Sequence, residues 1–359
     1  MNPVAIEGHL KLVLIQWIVI IAAAWLFGRL GKRFGQPLAV GEIAAGIILG
    51  PSVLGLIWPS DWPVLFPKET QQSLQLLGKL GLVFLLFQVG MPIMGRILLE
   101  MKLERTVIGA MGISAAAIDD VIGWVLLGVA TALVTSHFNV GHLLLQLAGI
   151  AAFFLVLQFI VGPALRKIWR KSIAEANDAG MPNAYLALLL ICLFVCCLIT
   201  HELGIFVIFG AFLFGVCLHQ EPSLVKAWRD RFSGVVLVAF VPIFFTNTGL
   251  NTRIGSLASP EAWLACGLVL AAAVAGKLGG CYLGARVTGQ PPREAGCIAA
   301  LMNTRALMAL IAINIGLDLG LLTPALFTML VIMALLTTAM CGPLLRWWLP
   351  KDLRKLVPD

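Results

Sequence analysis

The stretch Ser114-Ala-Ala-Ala-Ile-Asp-Asp-Val-Ile-Gly123 places two carboxylates, Asp119 and Asp120, side by side in apolar sequence. No other charged residue lies between Thr106 and Val134, a run of 29 residues, and about 20 apolar residues are enough to cross a bilayer as a helix. A carboxylate at the middle of such a span costs roughly 3 kcal/mol on the insertion scale. Because few intramembrane cations are available to pair with both acids, we expect an ion or proton site that faces a water-filled cavity.

The composition of the whole chain is that of a membrane protein. Of its 359 residues 60% are hydrophobic and only 12% are charged, and the mean hydropathy is +0.97. Soluble domains of this length are not so apolar, so the sequence predicts an all-α polytopic membrane protein in contact with the lipid bilayer. The net charge of +7 does not indicate nucleic-acid binding, because the Lys and Arg residues lie in short loops between apolar runs.

The apolar runs predict about eleven transmembrane helices and one orientation. The predicted spans are 10–28, 37–57, 72–91, 106–134, 141–165, 183–200, 203–219, 232–250, 261–285, 294–316 and 322–345. Basic residues follow each odd-numbered span, which places the N-terminus outside and the C-terminus in the cytoplasm. We expect one transmembrane domain over residues 1–359 with no soluble regulatory domain, located in a bacterial inner (plasma) membrane.

Two pairs of segments repeat weakly within the chain. Val83–Met91 and Pro242–Leu250 both end a predicted span with paired aromatic residues, polar residues and a glycine. Gly41–Gly50 is similar to Gly204–Gly215 in its apolar residues and glycine spacing. By the predicted orientation, the members of each pair run in opposite directions through the membrane. This pattern is typical of secondary transporters that are built from inverted repeats.

Lys277 is a cation that the sequence places deep inside a predicted span. It lies in Ala271-Ala-Ala-Val-Ala-Gly-Lys-Leu-Gly-Gly280, about nine residues from the predicted cytoplasmic end of its helix. An intramembrane lysine at that depth requires an acid, and Asp119 or Asp120 is the obvious partner. Such a pair could open when a cation arrives at the carboxylate.

Four further residues are predicted to support the site. Asn303, Thr304 and Arg305 interrupt an otherwise apolar helix, which predicts a broken helix with backbone groups that face a cavity. Glu42 lies early in the second span, close to the predicted cytoplasmic face, and could line the mouth of a cavity.

The sequence lacks the motifs of several enzyme classes and of ATP-driven pumps. His201-Glu202 has Ile205 where a metalloprotease needs its second histidine, and no Gly-rich loop with Lys-Ser or Lys-Thr is present to bind ATP. An intramembrane aspartyl protease needs two acids on facing helices, whereas Asp119 and Asp120 point about 100° apart on one helix. We therefore expect a protein that is not an enzyme and needs no cofactor.

Together these motifs resemble the cation:proton antiporter-2 superfamily, which includes sodium/hydrogen exchangers and the membrane domains of potassium-efflux systems. The resemblance rests on Gly41–Pro51, Ala117-Ile-Asp-Asp120, Gly276-Lys-Leu-Gly279 and Asn303-Thr-Arg305. It implies that Asp120 carries the monovalent cation or the proton and that Asp119 pairs with Lys277. It also implies a homodimer in which a core domain moves past a dimerisation domain.

The sequence departs from this family in one place. The family has about 13 spans, two of which lie between the segments similar to Phe87-Gln-Val-Gly90 and Arg96-Ile-Leu-Leu-Glu100. Here Met91-Pro-Ile-Met-Gly95 joins those segments directly. The missing pair includes the broken helix that, in the family, crosses the segment similar to Asn303-Thr-Arg305.

The sequence thus predicts secondary exchange of Na⁺ or K⁺ for protons at Asp119 and Asp120. The alternative is a transport-inactive member of the same family that dimerises or binds a partner in the membrane. The transported cation, the stoichiometry, electrogenicity and pH regulation do not follow from the sequence.

Overall fold

The structure is a computed structural model that describes residues 3–33, 36, 38–91, 107–135, 140–175, 181–305 and 307–350. Within these ranges every regular element is helical. The α-helices are α1 Pro3–Arg33, α2 Leu38–Leu49, α3 Leu54–Ile57, α4 Trp62–Leu65, α5 Lys68–Gly90, α6 Val107–Thr135, α7 Val140–Val156, α8 Gly162–Glu175, α9 Asn183–Glu202, α10 Val207–Leu218, α11 Pro222–Trp228, α12 Val241–Asn251, α13 Pro260–Val274, α14 Gly280–Val287, α15 Pro292–Met302, α16 Leu307–Asp318 and α17 Pro324–Trp348. The protein is therefore an all-α polytopic membrane protein, as predicted.

Four π-helical turns interrupt or join these helices. They are Leu157–Val161, Arg229–Ser233, Val236–Phe240 and Ala275–Gly279. A π turn adds one residue to the helical repeat and therefore shifts the register of the side chains that follow it. Such turns are frequent at functional sites, and the last of the four contains Lys277.

The number of spans differs from the prediction. Within the described residues eight helices are long and apolar enough to cross a membrane, or nine if the bent pair Pro222–Ser233 and Val236–Ser256 is counted as one span. The predicted span 203–219 contains only the 12-residue helix α10. It is shorter because Gly204, at φ +75°, ends the preceding helix in a turn. At 1.5 Å per residue α10 is about 18 Å long, so the count of eleven is not confirmed.

The chain forms two compact units. The first contains Met1–Gln75, Met94–Val121 and Pro242–Asp359, and the second contains Leu76–Ile93 and Ile122–Val241. Each unit contains segments from both halves of the sequence. The prediction of a single transmembrane domain is not tested by this division.

In the first unit α2 and α12 cross with their backbones in direct contact. A Cβ atom built on Gly249 would lie 2.0 Å from the carbonyl carbon of Gly46, and one built on Gly46 would lie 2.6 Å from the carbonyl oxygen of Phe245. Only glycine allows such an approach, in the way that small residues generally let membrane helices pack closely. The crossing joins one member of each repeated segment pair.

The second unit contains the corresponding crossing, between α5 and α10. A Cβ atom on Gly215 would lie 2.2 Å from the carbonyl oxygen of Phe87, and one on Gly90 would lie 2.3 Å from that of Phe212. The Phe87 ring stacks on Phe214 with the ring centroids 5.3 Å apart. This crossing joins the other members of the repeated pairs, as an internal repeat would produce.

A small apolar cluster positions the first half of α6 in the first unit. Ile108 at the start of α6 is 1% exposed and belongs to a cluster with buried residues of α14, α15 and α17, among them Ala285, Ile298 and Leu345. Further along α6, Gly112 faces the side chain of Leu301. This packing holds α6 beside the helices that contain Lys277 and the Asn303-Thr-Arg305 break.

Candidate functional site

The centre of the candidate site is an ion pair between α6 and the π turn after α13. Lys277 Nζ lies 2.5 Å from Asp119 Oδ2 and donates a hydrogen bond to it. The lysine side chain is 21% exposed and the aspartate side chain 51% exposed. The two residues are 158 positions apart in sequence, so the pair depends on the tertiary packing of α6.

Asp120 is the next residue of α6, but its side chain lies outside the described part of the structure. Its position in the helix follows from the backbone alone. The role that the family resemblance implies for Asp120, as the site of the monovalent cation, therefore stays a prediction.

The π turn Ala275–Gly279 determines where Lys277 projects. The long helix here consists of α13, this turn and α14 in direct succession. Because the π turn widens the helix by one residue, it rotates the side chains that follow it relative to those of α13. Nothing in the run of small residues around Lys277 predicts such a turn.

The predicted helix break is present between α15 and α16. Helix α15 ends at Met302 and α16 begins at Leu307. The backbone N–H of Thr304 donates to the carbonyl of Leu301 in a tightened turn, at 3.2 Å. The side chain of Asn303 is fully buried and makes one long contact, 3.5 Å from its Nδ2 to the carbonyl oxygen of Thr337.

Arg305, in the same break, reaches the helix that contains Lys277. Its Nη2 donates to the carbonyl oxygen of Ala273 at 3.0 Å, across 32 residues of sequence. Its Nε is buried and has no hydrogen-bond partner within the described residues, and the same holds for Oδ1 of Asn303. A buried polar group without a partner costs about 1–3 kcal/mol.

The structure thus brings three of the predicted residues into one neighbourhood. The thiol of Cys281 lies within electrostatic range of Lys277, Asp119 and Arg305. Neither Cys281 nor the Ala273 carbonyl was predicted. Cys281 follows Lys277 by four residues, a spacing that places residues on one face of a helix, whereas a backbone carbonyl leaves no signal in the sequence.

Glu42 belongs to the first unit. It lies in α2, is 7% exposed, and precedes Gly46 by one helical turn at the crossing with α12. The role predicted for it at the mouth of a cavity is not tested by this position.

The described residues contain no group of three or more His, Cys, Asp or Glu side chains that could hold a metal ion in the usual way. Among the described side chains, the ionic groups brought together here are the carboxylate of Asp119 and the cations Lys277 and Arg305. Chemically, such a set can exchange a proton or a weakly held monovalent cation at the carboxylate, with no covalent step.

The chain is similar in sequence to known membrane transporters. The model of the family described as "sodium/hydrogen exchanger, transmembrane" matches residues 18–102 and 91–351. These two ranges meet at the position where the sequence predicts two missing helices. The chain is 33% identical to the Na⁺/H⁺ antiporter NhaS4 of Synechocystis sp., over 93% of the chain and 96% of that relative. That alignment extends over 399 residues, more than the chain contains, so parts of the relative have no counterpart here.

Two further relatives are cation/proton antiporters by name. The chain is 30% identical to cation/H⁺ antiporter 18 of Arabidopsis thaliana over 95% of the chain and 49% of that relative, so it spans about half of the plant protein. It is 26% identical to the Na⁺/H⁺-K⁺ antiporter GerN of Bacillus cereus, over 92% of the chain and 95% of the relative. The family model covers most of the chain, and the chain therefore belongs to the transmembrane sodium/hydrogen exchanger family.

Proposed function

We propose that the protein exchanges Na⁺ or K⁺ for protons across the membrane, with Asp119 and Asp120 as the carboxylates for which the two ions compete. The observation that carries this proposal is the contact of 2.5 Å between Lys277 Nζ and Asp119 Oδ2, inside helices of membrane-spanning length. An acid at that depth is costly and is therefore a functional candidate by default. The relatives, which are named as antiporters of Na⁺ or K⁺, support the same assignment.

Competition for one site is sufficient to couple the two fluxes. A carboxylate that binds either a proton or a cation, but not both, releases one when it takes up the other. If the loaded carboxylate then faces the other side of the membrane, net exchange results. Lys277 supplies a third state, in which its ammonium group neutralises Asp119 when neither transported ion is bound.

The exposure of the pair suits this role. Ion pairs in contact with water contribute only about 0–1 kcal/mol, and Asp119 is half exposed. If the exposed side of Asp119 faces the water-filled cavity that we propose, a cation has little to overcome when it displaces Lys277 from the carboxylate. A fully buried pair would be far harder to open, because removal of one partner then costs about 3–5 kcal/mol.

The remaining assignments follow the resemblance to this family. We propose that Asp120 binds the cation, that Asn303, Thr304 and Arg305 shape the cavity, and that the protein works as a homodimer. We also propose an N-terminus outside and a C-terminus in the cytoplasm of a bacterial inner membrane, since the basic residues follow the odd-numbered predicted spans.

The test is transport by the purified protein in liposomes that hold a pH gradient. Na⁺, K⁺ and Li⁺ are added in turn, and the internal pH is followed with a trapped dye. We expect at least one cation to collapse the gradient with the wild-type protein and none to do so with the Asp119→Asn/Asp120→Asn double variant.

The matched control is Asp61→Asn. Asp61 is exposed and its side chain makes no capping hydrogen bond at α4, so the same chemical change there should leave exchange intact. Equal exchange by the wild type and the double variant would refute the assignment of the carboxylates.

One observation favours a second candidate function. The alignment to the Synechocystis relative is longer than this chain. If its gaps correspond to the two helices that the sequence predicts to be missing, the break at Asn303 lacks the helix that crosses it in the family. A chain without that helix could be inactive in transport and act by binding a partner in the membrane. Cation-dependent collapse of the gradient by the wild type would exclude this alternative, and folded, monodisperse protein without any exchange would support it.

A further inference from the structure

We infer that Arg305 is a positioning residue that anchors the end of α13, just before the π turn of Lys277, to the break between α15 and α16, so that the lysine meets Asp119. The inference concerns the geometry of the ion pair, and only its consequence for transport rests on the proposed function. It assigns Arg305 a contact with backbone instead of with the transported ion.

Arg305 contacts the backbone of the long helix that contains Lys277. Arg305 Nη2 donates to the carbonyl oxygen of Ala273 at 3.0 Å. Ala273 lies in the last turn of α13, two residues before the π turn Ala275–Gly279. Because the π turn breaks the regular i to i−4 ladder, a donor from another helix can fix the carbonyls that precede it. Arg305 provides that donor.

The two cations, Lys277 and Arg305, contact different groups. Lys277 contacts Asp119 at 2.5 Å, and Arg305 contacts the carbonyl of Ala273, four residues before Lys277. Two cations beside one described carboxylate would compete for it if both could reach it. Arg305 instead donates to an uncharged carbonyl, which leaves Asp119 to Lys277 and keeps the guanidinium group at a defined place.

Arg305 lies in the break between α15 and α16. Its Nε is buried without a partner in the described part of the chain. Among the residues that the structure describes, the hydrogen bond to Ala273 is the contact that directs this side chain. That contact connects the broken helix to the turn that carries Lys277.

The test measures the contact of Lys277 with Asp119 directly. A water-soluble carbodiimide activates the half-exposed carboxylate of Asp119, and the amine of Lys277 displaces the urea to form an amide only where the two groups touch. Mass spectrometry of the digested protein then gives the yield of the 119–277 cross-link. We expect Arg305→Ala to lower that yield about fivefold, the effect of about one net hydrogen bond, while Arg305→Lys, which keeps the charge and one donor, retains an intermediate yield.

The matched control is Arg286→Ala. Arg286 also donates to a backbone carbonyl, that of Gln290 at 2.6 Å, but this contact lies at the far end of α14. We expect the wild-type yield with this variant. A wild-type yield with Arg305→Ala would overturn the inference and would indicate that the arginine serves another group, such as Asp120. An equal loss with Arg286→Ala would overturn it as well, because the effect would then be general.

Transport in the same preparations separates the two proposals. If Arg305 acts through Lys277, Arg305→Ala alone should change the half-saturating cation concentration about fivefold. Added to Lys277→Ala, the same substitution should change it by less than about twofold. An effect of equal size in both backgrounds would contradict a role through Lys277. If Arg305→Ala loses the cross-link and the wild-type protein shows no transport, the positioning role is supported and the proposed exchange is refuted.

Discussion

The crossing of α2 and α12 predicts that Gly249→Ala strongly destabilises the first unit. The new methyl group would lie 2.0 Å from the carbonyl carbon of Gly46, 2.3 Å from its oxygen and 2.4 Å from the backbone nitrogen of Ile47. Carbon atoms that are not bonded pack at about 3.5–4.0 Å. All three neighbours are backbone atoms, so no side chain can rotate away, and the helices must separate by more than about 1 Å.

The cost can be worked from this displacement. Overpacking typically costs about 1–3 kcal/mol, and we expect the upper end because the helices must move as rigid bodies. A radial gap of about 0.5–1 Å also loses a quarter to a half of the dispersion energy of the contacts that open. Alanine gains about 1 kcal/mol over glycine in helix propensity. The expected net loss is therefore about 2 kcal/mol.

The measurement is unfolding of the purified protein by a denaturing detergent, followed by circular dichroism. Gly267→Ala is the control, because a Cβ atom at Gly267 in α13 would meet nothing within 4 Å. It should be neutral or slightly stabilising. The account of the crossing is refuted if Gly249→Ala unfolds at the same detergent fraction as Gly267→Ala.

Two further predictions follow for the second unit. Gly215→Ala should lower the free energy of unfolding by about 2 kcal/mol, since its methyl group would lie 2.2 Å from a carbonyl oxygen of α5. The control is Gly234→Ala, where a Cβ atom would meet nothing within 4 Å. Equal stability of the two variants would contradict the expectation. Arg170→Ala breaks a 2.8 Å ion pair with Glu221 and should cost about 1 kcal/mol at low salt, because the arginine is exposed and the pair is screened. Unfolding in low and high salt checks this, with Lys167→Ala as the control, and a loss that does not shrink with salt would contradict it.

The helices and the repeated segments could be predicted because they depend on local sequence. Long apolar runs predict spans, and Asn303-Thr-Arg305 predicts a break since three polar residues interrupt such a run. The 12-residue length of α10 was missed, because the apolar run continues on both sides of the turn at Gly204. Hydropathy does not detect a turn that a single glycine makes.

The contacts of the site were harder to predict. Lys277 needs an acid on energetic grounds, so its pairing with Asp119 or Asp120 could be expected, but the choice between them depends on the rotation of α6. The π turn around Lys277 and the contact of Arg305 with Ala273 depend on packing between distant helices. A run of alanines and glycines carries no signal for either.

The central claim, that a cation and a proton compete for Asp119 and Asp120, is tested most directly without a membrane. Na⁺, K⁺ or Li⁺ is added to the purified protein in weakly buffered detergent solution, and the released protons are counted with a pH indicator. We predict proton release by at least one cation from the wild type and none from Asp119→Asn/Asp120→Asn. Release of equal size from both proteins, or cation binding to the wild type without any proton release, would contradict the account.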